Sequence, residues 1–351
     1  MNKLQSFFAA LGGCILMITA LASPAAAQSL ELLNRYPLDA DATDVVGSVD
    51  GALVSLDATP GGVFEDGGVT LSGNGYIELQ EFLFGNIWYG GDVDNLPPVT
   101  LEMFGSWAGG DPNQRLFDFG DNDLEDPFHP PVGSGQAGRT YLAATPADST
   151  GNLHFEIAAD PADGGDPATV GAISAAGLNA NQDFHVAVVI DPATGTARMY
   201  RNGVPTGTGT LPDSLRQGVV DGVAVVDWNN WLGRSQTDGN PLFNGRITEF
   251  RIWLGAMNDS QARQNYNCGP DHPTGCSVGP TPTLAVGQAG PNLEISWPAD
   301  ALGFNLHVRN DLGGGSSWSP ATDEPLTSDG VRTTTIPIAE PAAYFQLQTD
   351  N

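Results

Sequence analysis

The stretch LFNGRITEFRIWLGAMNDSQARQNY, residues 242–266, combines two local patterns. In NGRITEFRIW, bulky and polar residues alternate as they do along a strand with one buried face. The polar segment MNDSQARQNY that follows is typical of a helix start, with Asp259 or Ser260 as the predicted N-cap. We interpret the stretch as the last strand of a β-sandwich followed by a short helix.

Short strands between turn residues recur along the rest of the chain. The sequence holds 45 Gly and 26 Pro, and 15% of its residues are charged. Long helical periodicity is absent, and apolar residues recur at every second position, which favours a sandwich or jelly roll. The predicted inward-facing positions are Val99, Leu101 and Met103, then Leu153, Phe155 and Ile157, then Phe184, Val186, Val188 and Ile190. The predicted fold class is all-β.

Residues 1–27 have the organisation of a secretory signal peptide. Lys3 precedes the apolar run AALGGCILMITALA, and the small residues SPAAA predict cleavage after Ala27. The run is shorter than the ~20 apolar residues of a membrane-spanning helix, and no later run is longer. We therefore expect a protein that is secreted, periplasmic or at the cell surface, without membrane insertion after signal cleavage.

The charge balance argues against nucleic acid and anionic membranes as partners. Lys and Arg total 13 against 41 Asp and Glu, which gives a net charge of −28. Such a surface repels nucleic acid and anionic membranes and attracts cations. Two origins of the charge stay open at this point: solubility in a saline habitat and specific metal sites.

The chain divides into two predicted modules. Residues 28–267 form the first, and residues 292–351 contain four or five short strands, enough for a small β-sandwich. Residues 268–291 between them are rich in Pro, Gly and Thr and read as a linker. The linker holds Cys268 and Cys276, and two nearby cysteines in an exported chain favour a disulfide. A Cys/His metal site using His272 is the alternative, but it lacks a second pair of ligands.

Four motifs in order give the first module a family resemblance over residues 32–266. They are RYPLDADATDVVGSVDGALV, GYIELQ, DFHVAVVIDPATGTARMYRNGV and WLGRSQTDGNPLFNGRITEFRIW. This module resembles the laminin-G-like (LamG), concanavalin A-like jelly rolls of secreted bacterial proteins. The resemblance implies an antiparallel β-sandwich, with a short helical cap after the last strand. The C-terminal module, through ISWP, GFNLHVRNDL and YFQLQ, is similar to small fibronectin-like modules.

The resemblance also implies a calcium ion between the opening loop and the end strand. The loop DADATDVVGSVDG supplies carboxylates and backbone carbonyls, the oxygen ligands that Ca²⁺ prefers. The implied ligands are Asp44, Asp50 and Glu249. The alternative is a solvated loop, with Glu249 paired to Arg246 or Arg251.

Aromatic residues in a loop, where polar residues would be expected, indicate carbohydrate binding. Sugar rings stack on aromatic faces, and amides and carboxylates bind the hydroxyl groups. Trp88 and Tyr89 lie in the apolar loop FLFGNIWYGGDVDN, and Trp228 lies in VDWNNW. We predict these three residues as a binding rim for a glycan. The alternative is that Trp88 and Tyr89 pack beneath their own loop.

Catalytic motifs are weak in this sequence. Glucanases of the same fold carry a Glu-x-Asp-x-x-Glu strand, which is absent here. The pair of carboxylates with the most similar spacing is Glu156 and Asp160, four residues apart. A Gly-x-Ser-x-Gly turn is absent as well. We therefore predict a non-catalytic recognition or adhesion protein whose partner is a glycan or a cell-surface or matrix protein. The alternatives are a polysaccharide-active enzyme on the same fold and a structural surface protein.

Overall fold

The computed structural model describes residues 30–81, 83, 96–121, 140–159, 168–212, 225, 227–273, 282–299, 301, 304–309, 318–321, 325–328, 330–338 and 343–349. The predicted signal peptide, Trp88, Tyr89 and Cys276 lie outside these residues. In the described part of the chain, no helix has the length and apolar character that crossing a membrane requires.

Two antiparallel sheets form the first module. Its strands are β1 Glu31–Tyr36, β2 Ala52–Ser55, β3 Gly62–Glu65, β4 Gly68–Ser72, β5 Gly75–Leu79, β6 Val99–Trp107, β7 Phe117–Asp121, β8 Thr140–Thr145, β9 Asn152–Ala159, β10 Ala168–Ala176, β11 Asp183–Asp191, β12 Thr196–Arg201, β13 Val204–Thr210, β14 Asn229–Leu232 and β15 Asn244–Leu254. The eight-stranded sheet has the order β13-β12-β11-β6-β15-β4-β3, and β1 pairs with β15. The seven-stranded sheet has the order β10-β9-β8-β7-β14-β5-β2. The module is therefore a jelly-roll sandwich, as predicted.

The core lies between the sheets and uses alternate residues of the long strands. All ten predicted inward-facing residues belong to one buried cluster. Phe250 of β15 joins the layers, because its ring centroid lies 6.0 Å from Phe117 and 5.7 Å from Phe119 of β7. Each large side chain buried in this way stabilises the fold by about 1.5–3 kcal/mol.

A β-bulge in β15 decides which side chains face the core. Its pairing with β6 shifts register between Ile247 and Glu249. Ile247 and Phe250 both lie in the core, three residues apart, whereas strict alternation would place core residues two apart. Glu249 and Arg251 consequently lie on the opposite, outer face of the eight-stranded sheet.

The helix α1, Asp259–Cys268, covers this outer face. Its N-cap is Asn258, so the predicted N-caps Asp259 and Ser260 are wrong by one and two residues. Asn258 is the N-cap because it forms a capping box with Gln261. The Asn258 Oδ1 accepts from the Gln261 backbone N–H, and the Gln261 Oε1 accepts from the Asn258 backbone N–H, both at 2.9 Å. A second cluster, with Ala187, Val189 and Trp253 of the sheet, packs beneath the helix.

The C-terminal module consists of two smaller sheets. Its strands are β16 Ala285–Ala289, β17 Asn292–Pro298, β18 Phe304–Arg309, β19 Ser319–Pro320, β20 Leu326–Ser328, β21 Val331–Pro337 and β22 Tyr344–Thr349. The orders are β16-β17-β21-β20 and β19-β18-β22, around a core that includes Ile295, Trp297, Phe304 and Leu306. Strand β16 lies inside the predicted linker 268–291. The module therefore begins earlier in the chain than residue 292.

Candidate functional site

Asp44 organises the loop between β1 and β2. Its side chain is 4% exposed. Its Oδ1 accepts hydrogen bonds from the backbone N–H groups of Arg35 (2.9 Å), Val46 and Gly47 (both 3.0 Å). Its Oδ2 accepts from Asn34 Nδ2 (2.7 Å) and from the Val49 N–H (3.2 Å). Burial by itself raises the pKa of Asp44, but these hydrogen bonds outweigh it and hold the pKa below its usual value.

Glu249 is fully buried and bound by cationic and backbone donors. Arg35 donates to it twice, from Nε to Oε1 at 3.0 Å and from Nη2 to Oε2 at 2.9 Å. Arg251 Nε also donates to Oε1, and the backbone N–H of Asp271 donates to Oε2 at 2.8 Å. Two guanidinium groups thus neutralise the carboxylate, with Arg251 one of the two pairing partners anticipated for it.

These contacts do not fit the predicted calcium ligand set of Asp44, Asp50 and Glu249. The oxygens of Asp44 and Glu249 already accept hydrogen bonds, and Asp50 Oδ1 accepts from the Asp44 N–H at 2.9 Å. No group of three or more His, Cys, Asp or Glu side chains in the described residues is arranged to hold a metal ion. In this structure Arg35 and Arg251 neutralise Glu249; the assignment of Asp44, Asp50 and Glu249 as calcium ligands stays a prediction. Calcium binding as such stays a prediction.

A buried polar cluster beneath α1 was missed by the sequence analysis. Glu102 of β6 is fully buried and accepts from Trp253 Nε1 (2.9 Å), Arg251 Nη1 (3.2 Å) and Asn265 Nδ2 (3.0 and 3.2 Å). His185 Nε2 lies 2.8 Å from its Oε1. Burial raises the pKa of Glu102, but Arg251 and the other partners prevail and lower the pKa to about 2. The cluster therefore ties the sheet to the helix.

An open cleft lies at one end of the seven-stranded sheet, where β2 begins, β5 ends and β14 begins. We call it the Trp228 cleft. Its volume is about 810 Å³. Its lining residues are Ser48, Asp50, Gly51, Ala52, Glu78, Leu79, Gln80, Glu81, Trp228 and Asn229. Trp228 is half-buried, whereas Asp50, Glu78, Gln80 and Glu81 are exposed. An aromatic face thus lies among carboxylates and amides.

The walls of the cleft are held by contacts behind them. Asn230 Nδ2 donates to the Gln80 backbone oxygen at 2.9 Å. Gln236 Nε2 donates to the Asn229 backbone oxygen at 3.0 Å. The loop that Asp44 organises supplies the wall of residues 48–51. The aspartate-rich loop therefore shapes the cleft from its rim, which no sequence motif indicated.

The other predicted site residues are described only in part. Trp88 and Tyr89 fall outside the described residues, so their part in the rim stays a prediction. Cys268 is buried at the end of α1, 2% exposed, whereas Cys276 is not described. The disulfide between them stays a prediction as well.

A second polar cluster lies on the outer face of the seven-stranded sheet. Asp118 of β7 is 1% exposed, and its Oδ2 accepts from Arg115 Nε (3.2 Å) and the Gln236 N–H (2.9 Å). Arg115 Nη2 donates to Glu156 Oε1 at 2.9 Å. Burial raises the pKa of Asp118 to about 6, against the opposing charge of Arg115. Asp160, the predicted partner of Glu156, lies outside the described residues.

Several solved structures resemble the chain at low identity. Domain 4 of AbnA, an extracellular GH43 arabinanase from Geobacillus stearothermophilus in complex with arabinotriose, is 20% identical with a TM-score of 0.47, over 67% of this chain and 98% of that one. The Ruminococcus gnavus IT-sialidase CBM40 bound to α2,3 sialyllactose is 16% identical with a TM-score of 0.37, over 56% and 95%. A heptameric SAP-like pentraxin from Limulus polyphemus is 13% identical with a TM-score of 0.32, over 70% and 87%. A search of curated proteins found no match.

The fold and the sequence agree on the class of the first module, an antiparallel jelly-roll sandwich with a cleft at one sheet end. A laminin-G-like family model, described as the concanavalin A-like lectin/glucanases superfamily, matches residues 99–263. This part of the chain is therefore similar to that superfamily. The predicted resemblance is thereby confirmed for the first module, and the small C-terminal β module is compatible with it.

Proposed function

We propose that the protein is an exported glycan-recognition protein that binds a saccharide in the Trp228 cleft. The observation that carries the proposal is the lining of this cleft. Trp228 contributes a half-buried aromatic side chain to the lining, and Asp50, Glu78 and Gln80 offer exposed acceptors and donors for hydroxyl groups. An aromatic face surrounded by such groups is the combination that a sugar ring requires.

The charge of the cleft favours one class of saccharide. Its described lining contains Asp50, Glu78 and Glu81 and no basic residue. A uronate or a sialic acid would bring a further negative charge to these carboxylates and to a chain of net charge −28. The preferred ligand is therefore a neutral oligosaccharide.

A glycan array tests this proposal. The wild-type protein is expected to bind neutral oligosaccharides. Trp228→Ala should weaken binding about tenfold, equivalent to about 1.4 kcal/mol, because the ring loses its stacking partner. Tyr344→Ala is the matched control, since this exposed aromatic residue lies on β22 of the other module. Unchanged binding in Trp228→Ala, or retention of anionic glycans only, would contradict the proposal.

Export and the disulfide form part of the same proposal. The signal-like segment 1–27 and the two cysteines of NCGPDHPTGC support them. Mass spectrometry of the protein from its host should give an N-terminus at Gln28. Peptide mapping without reductant should join Cys268 to Cys276. An intact Met1, or both thiols alkylated without reduction, would contradict these two points.

Glycoside hydrolysis is the second candidate, and one observation favours it. Burial raises the pKa of Asp118 to about 6, while the contacts of Glu156 with His154 and Arg115 outweigh its burial and lower its pKa. Carboxylates whose pKa values are pushed apart are typical of acid and base pairs. However, both are bound by Arg115, and Asp118 is 1% exposed, which places it out of reach of a substrate. Release of reducing ends from laminarin or agar, abolished by Glu156→Gln, would establish the enzyme; no release favours recognition alone.

A further inference from the structure

A cavity lies between the two modules, at the outer side of α1. We call it the junction cavity, and its volume is about 310 Å³. Strands β6 and β11 contribute Phe104 and His185, the helix contributes Tyr266, and the C-terminal module contributes Ala299 and Arg332. The exposed side chains of Asp183 and His272 also line it. The cavity is thus built by both modules and is separate from the Trp228 cleft.

Arg332 brings to this cavity a positive charge with which no described residue forms an ion pair. Its side chain is 5% exposed. Its guanidinium donates to Asn267, from Nη1 to Oδ1 at 2.6 Å and from Nη2 to the backbone oxygen at 3.1 Å, and lies 4.9 Å from the ring centroid of Tyr266. Burial lowers the pKa of Arg332, and within the described residues it forms no ion pair. Its Nε also has no hydrogen-bond partner there. Burial of a cation is unfavourable unless an anion pairs with it.

His185 lines the same cavity with a second unused atom. The side chain is fully buried, and its ring centroid lies 6.0 Å from that of Tyr266. Nε2 is directed to the Glu102 carboxylate, which only accepts hydrogen bonds, so Nε2 carries a hydrogen. Nδ1 has no partner in the described part of the chain. Both the Arg332 guanidinium and the His185 imidazole therefore lie next to the Tyr266 ring, each with one nitrogen that no described residue satisfies.

We propose that the junction cavity binds a small monocarboxylic acid with an apolar body. The carboxylate would pair with Arg332, which forms no ion pair with any described residue. The apolar body would pack against the rings of Phe104 and Tyr266. Such a ligand bridges the two modules and stabilises their arrangement.

Calorimetry on the full mature chain tests the proposal with benzoate, phenylacetate and hexanoate as probes. At least one acid is expected to bind saturably below about 10 mM, and benzamide, the neutral counterpart of benzoate, at least tenfold more weakly. Absence of binding by all three acids, or equal binding of benzoate and benzamide, would overturn the proposal.

Two variants locate the site. Ala299→Leu narrows the cavity without touching Arg332 and should reduce acid binding at least tenfold, while its glycan-array profile stays unchanged. Arg332→Gln should remove the preference for benzoate over benzamide. Unchanged acid binding in Ala299→Leu, with a wild-type melting temperature, would place the ligand elsewhere and contradict the assignment. If either variant fails to fold, the proposal is still tested by comparing the affinities of the wild-type chain for benzoate and benzamide.

Discussion

Arg35 binds Glu249 in a bidentate ion pair, with N–O distances of 3.0 and 2.9 Å, across 214 positions of sequence. The backbone N–H of the same arginine donates to Asp44. One residue of the first strand therefore connects the opening loop to the closing strand. This connection occupies the place where the family resemblance implied calcium.

The first prediction concerns calcium. Asp44→Asn should destabilise the protein by about 1–3 kcal/mol, because an amide nitrogen replaces an oxygen that accepts backbone N–H groups. The loss should be equal in CaCl₂ and in EDTA, measured by urea unfolding. If EDTA lowers wild-type stability to that of Asp44→Asn and calcium restores it, a metal holds this loop after all.

The second prediction concerns Glu102, whose pKa is about 2 in the folded protein against 4.5 for an ordinary glutamate. Because its pKa is lower in the folded state, the ionised Glu102 stabilises the fold at pH values above its pKa in the unfolded chain. This stabilisation is lost as the pH falls from about 5 towards 2. Glu102→Gln should therefore cost about 3 kcal/mol at pH 7 and progressively less below pH 4.5. Denaturant unfolding between pH 3 and pH 7 measures this. A cost independent of pH would show that the charge of Glu102 is not what matters.

Asp118 should show the opposite dependence on pH. Its pKa is raised from 3.8 to about 6, so the folded state retains a proton that the unfolded state releases. Protonated Asp118 therefore stabilises the fold fully below about pH 3.8. This stabilisation, about 3 kcal/mol, is lost as the pH rises through 6. Asp118→Asn should remove this decline, so that the variant gains stability relative to wild type between pH 4 and pH 7. Parallel pH profiles of wild type and variant would contradict the raised pKa.

Two turns with nearly the same backbone angles allow a matched comparison of glycines. Asp66–Gly67 has φ of 48° and 76°, and Asn202–Gly203 has φ of 49° and 75°, as two-residue hairpins require. Alanine strains both by about 1–2 kcal/mol. A Cβ at Gly67 meets nothing within 4 Å, whereas one at Gly203 lies 2.9 Å from the Cα of Arg263 in α1. Gly203→Ala should cost about 1–3 kcal/mol more than Gly67→Ala in urea unfolding. Equal costs would mean that α1 does not pack on this turn.

Alternation along the strands was sufficient to predict the core, because a strand places every second side chain on the same face. It does not reveal what covers the other face. Glu102 and His185 lie on the side of β6 and β11 that faces away from the core, where polar residues ordinarily indicate exposure to solvent. Helix α1 buries that side, so a hydrogen-bonded cluster forms there instead.

The site depends on features that the sequence does not mark. The bulge between Ile247 and Glu249 contains neither Gly nor Pro, and only the pairing with β6 shows where Glu249 lies. An aspartate-rich loop indicates calcium or a backbone-binding turn equally well. The sequence did not indicate the contact of Arg35 with Glu249, because 214 positions separate the two residues. Trp228 was predicted as a binding residue from the sequence, whereas the strand VRTTTIP gave no indication of a role for Arg332.

A crystal structure of the protein with the neutral oligosaccharide that the array selects tests the central claim most directly. The account predicts a sugar ring stacked on Trp228, with its hydroxyl groups hydrogen-bonded to Asp50, Glu78 or Gln80. A saccharide bound on another surface, such as the face that holds Asp118 and Glu156, would contradict it.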